Sequence, residues 1–155
     1  MKRLKIRCPY CGSLATKRPA SYIYGKACDS NKFVYVCDHY PKCDSYVAAN
    51  EKGLPMGMLA NKKLRQKRIA AHKALDRIWK KGFMTKEQVY IWLQSKLGMT
   101  ETQMHIANFG EYYCNRVIYE CNKAYRNMRV LIWGGIRWNE KDNTFKWSSN
   151  CNGWR

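Results

Sequence analysis

Apolar residues change rhythm along this chain, and the changes divide it. Before residue 52 they come as short β-rich runs, "SYIY" (21–24) and "FVYV" (33–36), which predict short antiparallel strands. Gly53-Leu54-Pro55 and Gly57 break that pattern and mark a module boundary near residue 52. From residue 61 to 81 the rhythm turns helical: Leu64, Ala71, Leu75 and Ile78 share a face, and Gly82 ends the run. Two capping-box patterns, Thr85 with Gln88 and Thr100 with Gln103, predict two short helices, since each pair can satisfy the other's free backbone N–H. Asn108 with Glu111 is a looser version that opens a long helix from Phe109 to about Met128, striped by Tyr113, Val117, Cys121, Ala124 and Met128. Past Gly134-Gly135, Ile136 and Trp138 alternate with Arg137, and Phe145 and Trp147 with Lys146. With the turn-like "NEKDN" between them, these predict a hairpin with an aromatic and a basic face.

Composition adds two constraints. At 155 residues and 46% hydrophobic content, the chain can bury a core. Its apolar runs, such as "RVLIWGGI", fall far short of the roughly 20 residues that cross a bilayer. The opening "MKRLKIRCPYCG" reaches cysteine and proline before any apolar stretch, so a cytoplasmic protein is expected, in the host cytoplasm if phage-encoded. Charge matters more: 29 Lys+Arg against 11 Asp+Glu leave +18. Such a surface repels copies of itself and favours a polyanion, with nucleic acid the commonest, through counterion release. Neither a membrane nor a small-molecule substrate is expected.

Eight cysteines in a cytoplasmic chain point to metal ligands and buried thiols rather than disulfides. Cys8 and Cys11 flank a C-x-x-C turn followed by Gly12, and Cys37 and Cys43 bracket "DHYPK". Zinc takes four thiolates tetrahedrally, so two such knuckles joined by strands make a zinc ribbon. His39 in place of Cys43, or Cys28 in place of any ligand, remains an alternative set. Four protein ligands leave no open position, which makes the expected zinc structural. The resulting fold class is α+β: a zinc ribbon (1–52), a basic helical module (53–133), then a hairpin and tail (134–155). Cys114 and Cys121 read as buried small hydrophobes.

The knuckle residues "CPYCG" and "VCDHYPKCDSYV" resemble the C-terminal zinc ribbons of type IA topoisomerases, over roughly residues 6–50. That resemblance implies single-stranded DNA binding; Cys28, within "GKACDSNK", departs from the pattern. A wider stretch, residues 8–121, resembles a family of small bacterial and phage zinc-finger-containing domains of unknown function. It implies a ribbon followed by helices and supplies no activity.

The helix at 61–81 carries Lys62, Lys63, Arg65, Lys67, Arg68, Lys73, Arg77, Lys80 and Lys81 against Asp76 alone. Helix faces that are merely solvated mix both signs. These cations, with Arg137 and Lys146 of the hairpin, are therefore the expected nucleic-acid contacts. Tyr10, Tyr35, Tyr40 and Tyr46 are candidates to stack on bases, with strand packing as their alternative role. If six cations neutralise phosphates, affinity falls roughly a thousandfold from 50 to 200 mM salt. The short helix at "TETQMHIAN" lacks Arg and Lys, so groove reading is not expected. His72, Asp76 and His105 are the nearest thing to an acid–base or second metal set, but there is no acidic cluster, phosphate loop or serine elbow. The expectation is a non-enzymatic protein that binds nucleic acid, DNA first, with little sequence preference. The alternative is a phage-encoded interaction protein that modulates a host nucleoprotein machine such as a defence nuclease; a metal-dependent enzyme ranks last.

Overall fold

The computed structural model describes residues 5–25, 31–133, 136–139 and 144–147. Cys28, Cys151, most of the "NEKDN" turn and the final Trp154-Arg155 lie outside them. The amino-terminal part is a four-stranded antiparallel sheet in sequential order: β1 (Ile6–Arg7), β2 (Leu14–Pro19), β3 (Phe33–Cys37) and β4 (Tyr46–Ala48). β3 lies between β2 and β4 and is buried on both faces, which explains its unbroken apolar run. One face packs Tyr35 and Cys37 with Cys8, Ala15, Val47 and Leu59. The other packs Val34 and Val36 with Ala20, and Ile23, Tyr40 and Tyr46 close over it.

"SYIY" departs from its strand expectation. It forms one helical turn, α1 (Ser21–Tyr24), after β2. Tyr24 N–H and Gly25 N–H bond back to Ala20 O and Ser21 O, and Gly25 takes a positive φ of 76° that glycine tolerates. Local β propensity lost to the backbone bonds of a turn.

After β4 the chain folds back on the sheet. Ala49 bridges Pro55 and Tyr46 bridges Ala60. Asn61 then caps α2 (Lys62–Lys80), its Oδ1 accepting from Leu64 N–H at 2.9 Å. Leu64, Ala71, Leu75 and Ile78 are buried as their spacing requires, joined by Ala74 and by Arg68. Thr85 and Gln88 form the full capping box of α3 (Lys86–Leu97), and Gly98 ends that helix in the left-handed region. Gln103 also reaches back to Thr100 N–H at 3.1 Å, yet no third α-helix follows. Two single 3-10 turns, Glu101–Gln103 and Ile106–Asn108, replace it, with extended His105 between them. Met104, Ile106 and Phe109 are all buried, a spacing that α-helical geometry would not deliver inward. The segment therefore has no recognition helix.

The long helix α4 (Glu111–Trp133) starts two residues later than expected, its first bond running from Cys114 N–H to Gly110 O. Its buried stripe is Cys114, Val117 and Cys121; Tyr113 is exposed, so the stripe lies one position over from the expected one at that end. β5 (Ile136–Asn139) and β6 (Thr144–Trp147) pair antiparallel, with Ile136 opposite Trp147, Trp138 opposite Phe145 and Arg137 opposite Lys146. That register keeps apolar with apolar and basic with basic, as the alternation predicts.

Contacts divide the chain into two compact units: Met1–Ala70 with His105–Cys114, and Ala71–Met104 with Asn115–Arg155. That division falls inside α2. The loop 53–60 pairs with β4, and Arg65 fastens the first turns of α2 to Asp44, so these residues belong with the ribbon. Among the described residues, no helix is long and apolar enough to cross a membrane.

Candidate metal centre

Each knuckle is shaped by backbone bonds that point its thiols one way. In the first, between β1 and β2, Gly12 N–H bonds to Cys8 O at 2.9 Å and Cys8 N–H to Ser13 O at 2.7 Å, with Gly12 at φ 73°. In the second, after β3, Tyr40 N–H bonds to Cys37 O and Cys43 N–H to His39 O, and the Tyr40–Pro41 peptide is cis. Cys37 N–H also bonds to Ser45 O, so this loop closes on the start of β4.

The Sγ atoms of Cys8, Cys11, Cys37 and Cys43 all lie within 4.8 Å of one another. Two of the pairs between knuckles are Cys11–Cys37 at 3.3 Å and Cys8–Cys43 at 3.6 Å. Tetrahedral zinc–thiolate bonds of roughly 2.3 Å set sulfurs about 3.8 Å apart, so this donor set fits one structural zinc ion. Hydrogen bonds from Ser13, backbone first, bring the exposed Cys11 thiol down to about 6, whereas burial pushes Cys37 up to about 12. A metal bound here displaces the protons these thiols hold, so metal loading is proton-linked. His39, the alternative ligand, is outside the sulfur group; its ring faces Ser13 Oγ at 3.1 Å.

The cations expected to track phosphates divide into two classes. Arg65 donates to both Asp44 carboxylate oxygens and to Ala60 O, and lies 3.7 Å over the Tyr46 ring. Arg68 is 8% exposed and donates to Phe109 O and Met58 O, each at 3.0 Å. Arg77 lies over Tyr125 and donates to Asn122 Oδ1. Lys63 pairs with Glu111 at 2.9 Å and Lys80 with Asp76 at 3.1 Å. Lys62, Lys73 and Lys81 are exposed, and Lys67 is partly exposed. Three arginines expected on a solvent face are therefore clamps within the fold: each reaches carbonyls or polar groups that only folding brings near. Burial pushes the Asp76 carboxyl up, but hydrogen bonds from Lys80 and Trp79 outweigh it and hold it below its ordinary value. His72 and His105, both exposed, belong to different units.

The tyrosines also rearrange. Tyr35 is buried and donates to Gly53 O, and Tyr46 and Tyr40 close over the sheet. Tyr10 remains exposed. The other exposed rings of the ribbon are Phe33 (40%), at the start of β3, and Tyr22 (48%) and Tyr24 (56%), which the strand reading of "SYIY" concealed. Arg18 lies 4.9 Å from the Tyr22 centroid and Lys17 lies 4.5 Å from that of Phe33. Basic and aromatic residues interleaved from Lys17 to Phe33 are the sequence signal for this surface. Beside it, Cys11, His39, Tyr40, Pro41, Lys42 and Cys43 line an open cavity of about 490 Å³.

Residues 4–124 match the profile of a family described as a zinc-finger-containing domain. Comparison with curated proteins and with solved structures yields no match.

Proposed function

Since the chain belongs to that family of zinc-finger-containing domains, we propose that its ribbon is a non-enzymatic surface for unpaired DNA, with little sequence preference. One observation carries this reading: exposed rings on a metal-held scaffold, two of them with a cation already at the face. An aromatic ring offers its face to any base, and a cation beside it reaches the adjoining phosphate. A ribbon fixed by zinc holds these groups in place, so little ordering cost falls on binding. With 3-10 turns where a second short helix was expected, recognition rests on stacking and charge, which tolerate sequence variation. No catalytic role is assigned, because the Asp76 carboxylate is taken up by Trp79 and Lys80.

The test is an anisotropy titration with a labelled single strand of about 12 nucleotides, within the range of known single-strand sites. Tyr22→Ala and Phe33→Ala should each weaken binding about tenfold or more, at unchanged zinc content. Wild-type affinity in both variants would overturn the reading.

A second reading has its own observation. Leu54, Met56 and Met58 alternate along the segment after β4, and all three are exposed. Alternation normally turns such residues inward; outward, flexible methionines suit a protein partner. This supports an interaction protein that grips a nucleoprotein machine, as a phage-encoded inhibitor of a host nuclease would. Weak binding to naked oligonucleotides with stable capture of a protein–nucleic acid complex, lost on Met56→Ser/Met58→Ser, would favour it.

A further inference from the structure

The carboxyl-terminal half of α2 carries a cation cluster that the ribbon does not use. Lys73, Asp76, Arg77, Lys80 and Lys81 line one open cavity of about 360 Å³, and all belong to the second compact unit. Three- and four-residue spacing places Lys73, Asp76, Arg77 and Lys80 along one side of α2, and Lys81 follows directly after its end. Arg77 is held in one orientation by the Tyr125 ring, 4.1 Å from its guanidinium carbon, and by Asn122 Oδ1, both on α4. Its buried Nε has no hydrogen-bond partner. Asp76 is the one acid in the lining, and its two oxygens accept from Trp79 and Lys80. Lys73 and Lys81 are exposed, with no ion-pair partner among the described residues.

We propose that this cleft is a second anion site, one that binds the phosphates of a nucleic-acid backbone and is blind to the bases. Four cations around one committed carboxylate repel each other unless an anion joins them. A pinned guanidinium offers directional donors to phosphate oxygens, and the lysines add mobile point charge. The rings nearby are less open than those of the ribbon: Trp79 is partly buried with its indole N–H held by Asp76, and Tyr125 is partly buried against Phe83, which leaves the phosphates as the part of the strand this cleft can reach. The proposal goes beyond the ribbon reading, since it needs neither the ribbon nor a base.

The probe is an abasic deoxyribose-phosphate oligomer, run beside an ordinary single strand of equal length and beside tripolyphosphate. Full-length, zinc-loaded protein is titrated between 50 and 200 mM salt. For Lys73→Ala/Lys81→Ala, losing two phosphate contacts should lower the salt slope on the abasic oligomer by about 1.4, so that salt weakens binding about sevenfold less over that range. Tyr22→Ala/Phe33→Ala should leave abasic binding unchanged. An unaltered slope in the lysine variant would overturn the cleft. Wild-type binding to the ordinary strand but not to the abasic one would also overturn it, while leaving the ribbon reading intact. Equal wild-type affinity for both strands, dependent on Lys73 and Lys81, would support the cleft and remove the ribbon's stacking role. Capture of tripolyphosphate alone would overturn the assignment to a nucleic-acid backbone.

Discussion

The ribbon and the helical unit reach stability by different routes. In the ribbon the strands run two to six residues, and its two apolar clusters consist largely of valine, alanine, tyrosine and the metal thiols themselves. In the second unit Leu75, Ile78, Val89, Leu93, Val117 and Cys121 are fully sequestered on three helices. A small sheet cannot bury enough apolar area to offset its ordering entropy, so a metal supplies the difference; helices with continuous apolar stripes do without one. The aromatic, cation-bearing surface sits on the part that the metal fixes. Exposed rings occur in both units, Tyr119 of α4 among them, but the exposed rings that carry a cation among the described residues, Tyr22 with Arg18 and Phe33 with Lys17, belong to the ribbon.

The largest expected effect separates the two units outright. Chelating the zinc, or Cys37→Ser, should remove on the order of 10 kcal/mol from the ribbon and leave the helices folded. The chain itself provides the readout: all six tryptophans lie at or beyond residue 79, whereas residues 1–52 contain tyrosine and phenylalanine as their aromatics. Tyrosine emission and ribbon amide exchange should change on chelation while tryptophan emission holds; a joint collapse would show that the units are not independent. Next comes Leu75→Ala, which should cost about 2–5 kcal/mol in the tryptophan-reported transition and leave zinc affinity alone. Equal losses in both signals would again erase the contrast. Arg68→Leu should cost roughly 2–3 kcal/mol, read as a lower ribbon melting temperature, because the Phe109 and Met58 carbonyls lose a charged donor, the first of them within a buried bond. It should not change the salt slope of oligonucleotide binding; a slope reduced by one contact would put Arg68 back among the phosphate ligands.

The smallest effect at neutral pH concerns Cys121, whose burial pushes its thiol up to about 12. An unfolded thiol ionises near 8.5, so the folded state holds this proton more tightly. Its contribution is fully present below that pH and is lost as pH rises toward 12. Unfolding by denaturant at several pH values should show stability falling above pH ~9 in wild type and falling less steeply in Cys121→Ala. Identical slopes would mean the thiol is not sequestered in solution.

Features set by near neighbours were legible. The Cys8/Cys11 and Cys37/Cys43 spacings, the Thr85–Gln88 box, the α2 stripe and the hairpin register each depend on residues a few positions apart, or on one turn. Where local signals competed, reading was less sure. Thr100 and Gln103 form the same side-chain pairing as Thr85 and Gln88, but burial of Met104, Ile106 and Phe109 holds the chain in 3-10 turns. Arg68 sits in a run of lysines and arginines with nothing nearby to mark it as buried, because its acceptors are Met58 and Phe109, the latter 41 residues away.

The amino-acid sequence by itself determined the metal ligands, the helices α2, α3 and α4 and the excess positive charge, because thiol spacing, periodicity and composition act over short range or over the whole chain. Tertiary structure alone decided which arginines became internal clamps, which tyrosines stayed exposed and which lysines were left at the end of α2. Those outcomes depend on where distant carbonyls, carboxylates and rings come to rest. A charged or aromatic side chain takes its role from the partners that folding brings within hydrogen-bonding or stacking distance.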